Sequence, residues 1–340
     1  MSSTTTNNRI TKIAIIGGSG NLGTPLLTAL LSSSSHTITA LTRPTSTSTF
    51  PPSVIVKKVD YTSPSSLVDA LTGQDLLLII LKAWTPPEVH QTIVRAAVDA
   101  GVKFILPSTW GGDVSLASSP AWRDDPIQTS ALYVKQVREA GGKWINVCCG
   151  FWYEWSLVLS EACFGFDLEG KRVTFYGDGE RKICSSSWGY VGEAVKRFVA
   201  LPVSRVEEGE GYNGAVVEDW ADETLYISEF EVSQKDMLES LCRVLGSKKE
   251  EWGIGYQDIE ERVKEGEKEM GEGNMLGFAK ALYARGFREG AMQFEEPARR
   301  DAERLGLREV DGKAQEEKVD EATRRGLEMV RNGWNPFKSG

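Results

Sequence analysis

Ile13-Ala14-Ile15-Ile16-Gly17-Gly18-Ser19-Gly20-Asn21-Leu22-Gly23 runs from an unbroken apolar segment straight into glycines spaced G-x-x-G-x-x-G. Four aliphatic residues in a row suit a strand buried on both faces, as in a parallel sheet covered by helices. The glycines then differ in what they permit. Gly17 makes a tight turn, Gly20 lets backbone approach a pyrophosphate, and Gly23 lets the next helix pack on the strand. Residues 22–31 read as that helix, with Pro25 near its start, where a missing amide costs little. Unpaired amides at a helix start, backed by the helix dipole, favour an anion. The stretch therefore predicts a dinucleotide-binding turn, with Gly17, Gly20, Asn21, Leu22 and Gly23 around the phosphates.

Outward from this turn, strand and helix alternate. Strands are predicted over 37–41, 54–59, 75–81, 102–106 and 144–149, and helices over 63–71, 88–100 and 126–140. Such alternation predicts an α/β fold, a Rossmann-type doubly wound parallel sheet. Beyond residue 152 the alternation fades. Residues 172–176 and 180–185, flanking Gly177-Asp178-Gly179, read as a hairpin, 188–200 as a helix and 225–227 as a short strand. The predicted division is a disordered tail over 1–9, an NAD(P)-binding domain over 10–152, and a smaller, mixed C-terminal substrate lobe over 153–340. Parts of 186–230 are expected to return to the first sheet. The charged segment 260–272 reads as a solvated helix or loop.

Composition narrows the function classes. A chain of 340 residues buries a substantial core. No run of 18 apolar residues occurs, so no membrane partner is expected, and the first eight residues lack the basic and apolar regions of a secretory signal. Five cysteines (Cys148, Cys149, Cys163, Cys184, Cys242), odd in number and without a C-x-x-C, suggest reduced thiols and a cytoplasmic location. His36 and His90 are not at ligand spacing, so no metal site is expected. The net charge is −9, yet residues 1–150 carry twelve basic and nine acidic side chains, which places the acidic balance in the second half. That argues against nucleic acid as a partner.

Candidate chemistry gathers at strand exits, where ligands sit in open α/β sheets. Arg43, after the second strand, is placed to accommodate a ribose 2′-phosphate and so favours NADP(H) over NAD; an ordinary solvated arginine is the plainer alternative. Asp60, after the third strand, either flanks adenine or caps its own turn. Trp84, Trp110 and Trp152 follow three later exits and either form an apolar site for a flat, aromatic small molecule, with Phe151 and Tyr153 beside Trp152, or simply close the joint between the two lobes. Ser108 and Thr109 either bond a substrate oxygen or serve the loop backbone. Lys135 is a candidate acid/base, its ammonium pKa lowered by desolvation and like charge, but Lys135 and Glu139 are also spaced as a surface i,i+4 pair.

Taken together, Gly17 to Gly23, Leu41-Thr42-Arg43, Pro107-Ser108-Thr109-Trp110-Gly111 and Lys135 resemble the NmrA-like, isoflavone-reductase-like family, an atypical branch of the short-chain dehydrogenases. Tyr176-Gly177-Asp178-Gly179, Tyr226-Ile227-Ser228 and Val232-Ser233-Gln234 extend the resemblance over residues 10–250. It implies an NADPH-dependent reductase of phenylpropanoid-type aromatic substrates, of the kind met in secondary metabolism. By position the single catalytic lysine of the family is Lys135, which would also lie against the cofactor. Some members bind the dinucleotide without known turnover and act as redox-responsive regulators, the second function the resemblance implies. The chain departs from the family at Thr109-Trp110, where Glu-Phe is usual, and at Ser187-Trp188-Gly189, which lacks an aspartate before the glycine.

Overall fold

The computed structural model describes residues 8–119, 122, 127–205, 212–307 and 314–334. Its first half alternates β1 (Lys12–Ile16), α1 (Gly23–Ser32), β2 (Thr37–Thr42), β3 (Ile55–Lys58), α2 (Pro64–Leu71), β4 (Leu76–Ile79), α3 (Pro87–Asp99), β5 (Phe104–Leu106), α4 (Ile127–Glu139) and β6 (Lys143–Cys148). After these come β7 (Phe151–Trp152), α5 (Tyr153–Leu159), β8 (Phe166–Asp167), β9 (Arg172–Tyr176), β10 (Ile183–Ser186), α6 (Trp188–Val199), β11 (Glu223–Tyr226), β12 (Phe230–Val232) and α7 (Gln234–Leu245). The chain closes with β13 (Gly253–Gln257), α8 (Ile259–Gly271), α9 (Leu276–Gly286), α10 (Glu295–Arg304) and α11 (Gln315–Arg331).

Seven parallel strands form the main sheet in the order β3-β2-β1-β4-β5-β6-β11. The strand order reverses between β1 and β4, and that switch point is where an open α/β sheet leaves a crevice. The apolar run before Gly17 behaves as a strand buried on both faces should. Ile13 and Ile15 join one core with α1 and α6, whereas Ala14 and Ile16 join another with α2, α3 and α4. β4 divides the same way, Leu76 and Leu78 to one side, Leu77 and Ile79 to the other. The late strand β11 pairs with β6, Glu223 opposite Ile145, and α10 ties itself to this edge: buried Asp301 Oδ2 accepts bonds from Trp220 Nε1 (3.1 Å) and Tyr226 N (2.9 Å).

The predicted hairpin is not formed. β9 pairs with β8 and β13, and β10 pairs with β7 and β12, so the segments on either side of Gly177-Asp178-Gly179 enter different sheets. The turn's backbone is occupied by distant partners, Gly177 N donating to Gln257 O and Lys235 N to Gly179 O, and these separate the two segments. The tail also differs at its end: Asn8 exchanges bonds with Ser204 and Arg9 donates to the Ala200 carbonyl, while residues 1–7 lie outside the described residues.

The charged segment 260–272 is a helix with one inner face, because α8 and α9 cross at glycines. A Cβ on Gly266 would lie 2.6 Å from Gly277 O, and one on Gly277 would lie 2.6 Å from Met270 N. The same face buries Arg262, whose guanidinium bonds Gln257 Oε1 and Glu161 O at 2.8 Å each and lies over the Tyr176 ring.

Candidate cofactor and substrate site

The glycine turn is jammed into the switch point. Gly17 has φ +81°, and a Cβ there would overlap the carbonyl oxygen of Ile80, the residue leaving β4. A Cβ on Gly23 would overlap Gly17 O and lie 2.7 Å from Gly18 Cα. These are the two steric demands predicted for a tight turn and a close helix. Gly20 differs, since its Cβ would meet only Gly17 O, at 3.3 Å, so the protein itself leaves that side open. No side chain caps α1 and no acid occupies its first turn, so nothing on the helix start competes with an anion.

Arg43 follows β2 with its side chain exposed, near Tyr61, whose phenol burial pushes up to about 12 against the pull of that guanidinium. Asp60 takes the turn-capping arrangement. Its Oδ1 accepts from Thr62 Oγ1 (2.7 Å) and Thr62 N (2.9 Å), bonds that hold the carboxyl below the usual range.

The strand-exit residues separate into groups. Ser108 Oγ accepts from Leu81 N at 2.9 Å, and the hydroxyl of buried Thr109 donates to Pro107 O at 3.5 Å, so both side chains serve loop backbone. Trp110 donates from Nε1 to Ile79 O (2.8 Å) and packs with Trp152 and Trp155 against the core that holds α1 and α6. Trp84 is drawn away: it is exposed and meets Phe278 of α9 edge-on. Phe151 and Tyr153 lie inside the second lobe, Phe151 stacked on Tyr283 and Tyr153 bonded to Thr323, and neither lines the cavity described below.

Lys135 is placed as a surface residue. Its side chain is 64% exposed and its ammonium lies 3.6 Å from Glu139. The physical reason is helical phase: Tyr133, Val134 and Val137 supply the buried face of α4, and Lys135 points off it. Beneath Tyr133 the His90 ring stacks at 4.0 Å, and burial lowers its pKa to about 4, so it is neutral and bonded to Gln136.

A cavity of about 520 Å³ opens beside the glycine turn. Ser19, Gly20 and Asn21 form one wall, Trp188 and Gly189 of α6 another, and Met329 and Trp334 a third. Glu154, in the first turn of α5, faces into it. Its Oε1 accepts from Trp188 N at 3.0 Å, Arg325 Nε lies 4.0 Å away, and Oε2 is buried with no hydrogen-bond partner. Burial pushes this carboxyl up to about 7. Glu154 was missed in the sequence; the only signal was a lone carboxylate inside Phe151-Trp152-Tyr153-Glu154-Trp155, a strand exit otherwise aromatic.

The five cysteines are unpaired, and burial raises the Cys149 and Cys163 thiols to about 12. Cys184, Glu231 and Glu295 come within 4.8 Å of one another away from the cavity residues. Among the described residues no helix is long and apolar enough to cross a membrane.

Residues 17–147, which begin at the glycine turn and end in β6, match the NAD(P)H-binding family. They are an NAD(P)H-binding domain. Around this domain the chain is similar to the oxidoreductase aprR of Aspergillus flavus, 27% identical over 270 residues, 78% of this chain and 84% of that protein. Among solved structures, the leucoanthocyanidin reductase of Vitis vinifera superposes with a TM-score of 0.69 at 16% identity, covering 92% of this chain and 98% of its own. AtPrR2, solved with NADP+ and (+)pinoresinol, superposes with a TM-score of 0.67 at 18% identity over the same shares. The likeness of fold thus reaches past the motif-bearing residues 10–250 into the acidic C-terminal part, and the NAD(P)H-binding domain carries the same kind of second lobe as isoflavone reductase.

Proposed function

We propose that the chain is an NADPH-dependent reductase of a small aromatic or conjugated substrate. The observation that carries this reading is the cavity whose walls are the glycine turn on one side and Trp188, Trp334 and Met329 on the other. Its volume of about 520 Å³ suits a drug-sized ring system, and the apolar surface of Trp188, Met329 and Trp334 suits a flat substrate whose polar groups would meet Asn21, Glu154 and Arg325. Relatives named as oxidoreductases favour turnover over a purely regulatory role. Gly17, Gly20 and Gly23 would hold the pyrophosphate at the start of α1, and the bound dinucleotide supplies a hydride. The chain supplies Trp188, Met329 and Trp334 to orient the acceptor plane.

NADPH consumption by the purified protein across a panel of quinones, enones and benzylic ethers tests the reading. Oxidation of NADPH with at least one aromatic acceptor supports it; inactivity across the panel contradicts it. Arg43 carries the cofactor preference. Losing a charge-assisted bond of about 1.5–3 kcal/mol, Arg43→Ala is expected to weaken NADPH binding roughly 10- to 100-fold while NADH binding stays within about threefold. Equal losses for the two dinucleotides, measured by fluorescence titration, would show that Arg43 does not read the 2′-phosphate.

A further inference from the structure

We propose that Glu154, in the wall of the cavity beside the glycine turn, is the acid that delivers the proton of the reduction. The inference rests on the reductase reading and deepens it, because a two-electron reduction of a conjugated acceptor needs a proton as well as a hydride. Lys135, on the outer face of α4, does not supply one to this cavity.

Three observations single out Glu154. It is the buried carboxylate of the cavity wall, 3% exposed, in a lining that also carries Arg325 and Glu328 and the amides Asn21 and Asn332. One of its oxygens is fixed by Trp188 N, which sets the carboxyl plane, and the other has no hydrogen-bond partner. A buried oxygen without a partner costs about 1–3 kcal/mol unless a ligand or solvent satisfies it, and Glu154 lines the same cavity as Ser19, Gly20 and Asn21 of the turn. The charged groups facing it are Arg325 and Glu328 of α11 and Glu229 of the turn between β11 and β12. Burial dominates over Arg325, so the protonated form persists to about pH 7, the range in which a carboxylic acid works as a proton donor.

The balance is simple. The acceptor gains a hydride at one carbon, its π electrons move to the neighbouring atom, and that atom takes the proton as the Glu154 O–H bond breaks. Glu154 is left as a carboxylate facing Arg325 and regains a proton from water at the cavity mouth, the hydride and its electron pair having come from the reduced dinucleotide.

Glu154→Gln keeps the acceptor for Trp188 N and removes the acid. It is expected to slow single-turnover NADPH oxidation about 100-fold or more, with NADPH affinity within about threefold of the parent. The parent rate should fall as pH rises through about 7, and the variant profile should be flat. Glu154→Asp, which keeps an acid, should restore part of the rate together with the pH dependence. Independently of turnover, infrared difference spectra of the cofactor-free protein should show a protonated carboxyl band that titrates near pH 7 and is absent from Glu154→Gln. A Glu154→Gln variant with the parent's rate and pH profile, or the same carboxyl band in both proteins, overturns the proposal alone. A parent protein that binds no NADPH overturns the reductase reading first.

Discussion

Gly23→Ala is expected to weaken NADPH binding by about 100-fold or more and to destabilise the protein by roughly 3 kcal/mol. The added methyl would overlap Gly17 O and approach Gly18 Cα at 2.7 Å, and both are backbone, so no rotamer change relieves the contact. α1 must move off the end of β1, which carries its first amides away from the place a pyrophosphate occupies. Gly20→Ala separates binding from folding. Its methyl meets only Gly17 O at 3.3 Å, so thermal stability should stay near the parent's while the approach of the phosphates is blocked. Calorimetric titration with NADPH and thermal unfolding of both variants read the two effects. Normal NADPH affinity in Gly20→Ala would place the dinucleotide elsewhere.

Asp301→Ala carries the second large effect, a loss of about 3–5 kcal/mol of stability by denaturant unfolding. The fully buried carboxylate joins α10 to the far edge of the main sheet by accepting from Trp220 Nε1 and Tyr226 N, and Arg304 lies 3.5 Å away over the Trp220 ring. Truncation strands two buried donors and takes from Arg304 the weaker of its two ion pairs, the one to Asp219 at 2.7 Å remaining. Asp301→Asn keeps one acceptor oxygen and should lose less. A change below about 1 kcal/mol would show that this bond set is not what anchors α10.

The sheet was legible because its strands are short aliphatic runs between glycines and prolines, and both faces of β1 and β4 are covered. The steric demands at Gly17 and Gly23 were legible because they follow from spacing along one local segment. Long-range pairing was not. Arg172–Tyr176 and Ile183–Ser186 are close in sequence and flank a turn, yet β13, near residue 255, and β12, near residue 231, claim them. Nothing local to Gly177-Asp178-Gly179 encodes those partners. Side-chain direction was the other failure. Lys135 is two positions from buried Tyr133, and its neighbours Val134 and Val137 take the inner face, so a residue of suitable chemistry points to solvent. Phe151 and Tyr153 alternate with Trp152 across β7 and into α5, and the second lobe buries both. Glu154 escaped because its importance lies in what surrounds it, α6, α11 and the glycine turn, which come together from separate parts of the chain.

If the dinucleotide lies on the glycine turn with its reactive ring toward the cavity that Glu154 and Trp188 line, a crystal structure of the protein with NADP+ will show it most directly. The pyrophosphate is expected over Gly20 at the start of α1, the 2′-phosphate beside Arg43, and the nicotinamide in the cavity within reach of Glu154. A dinucleotide bound away from Gly20, or a nicotinamide turned out of that cavity, would contradict it.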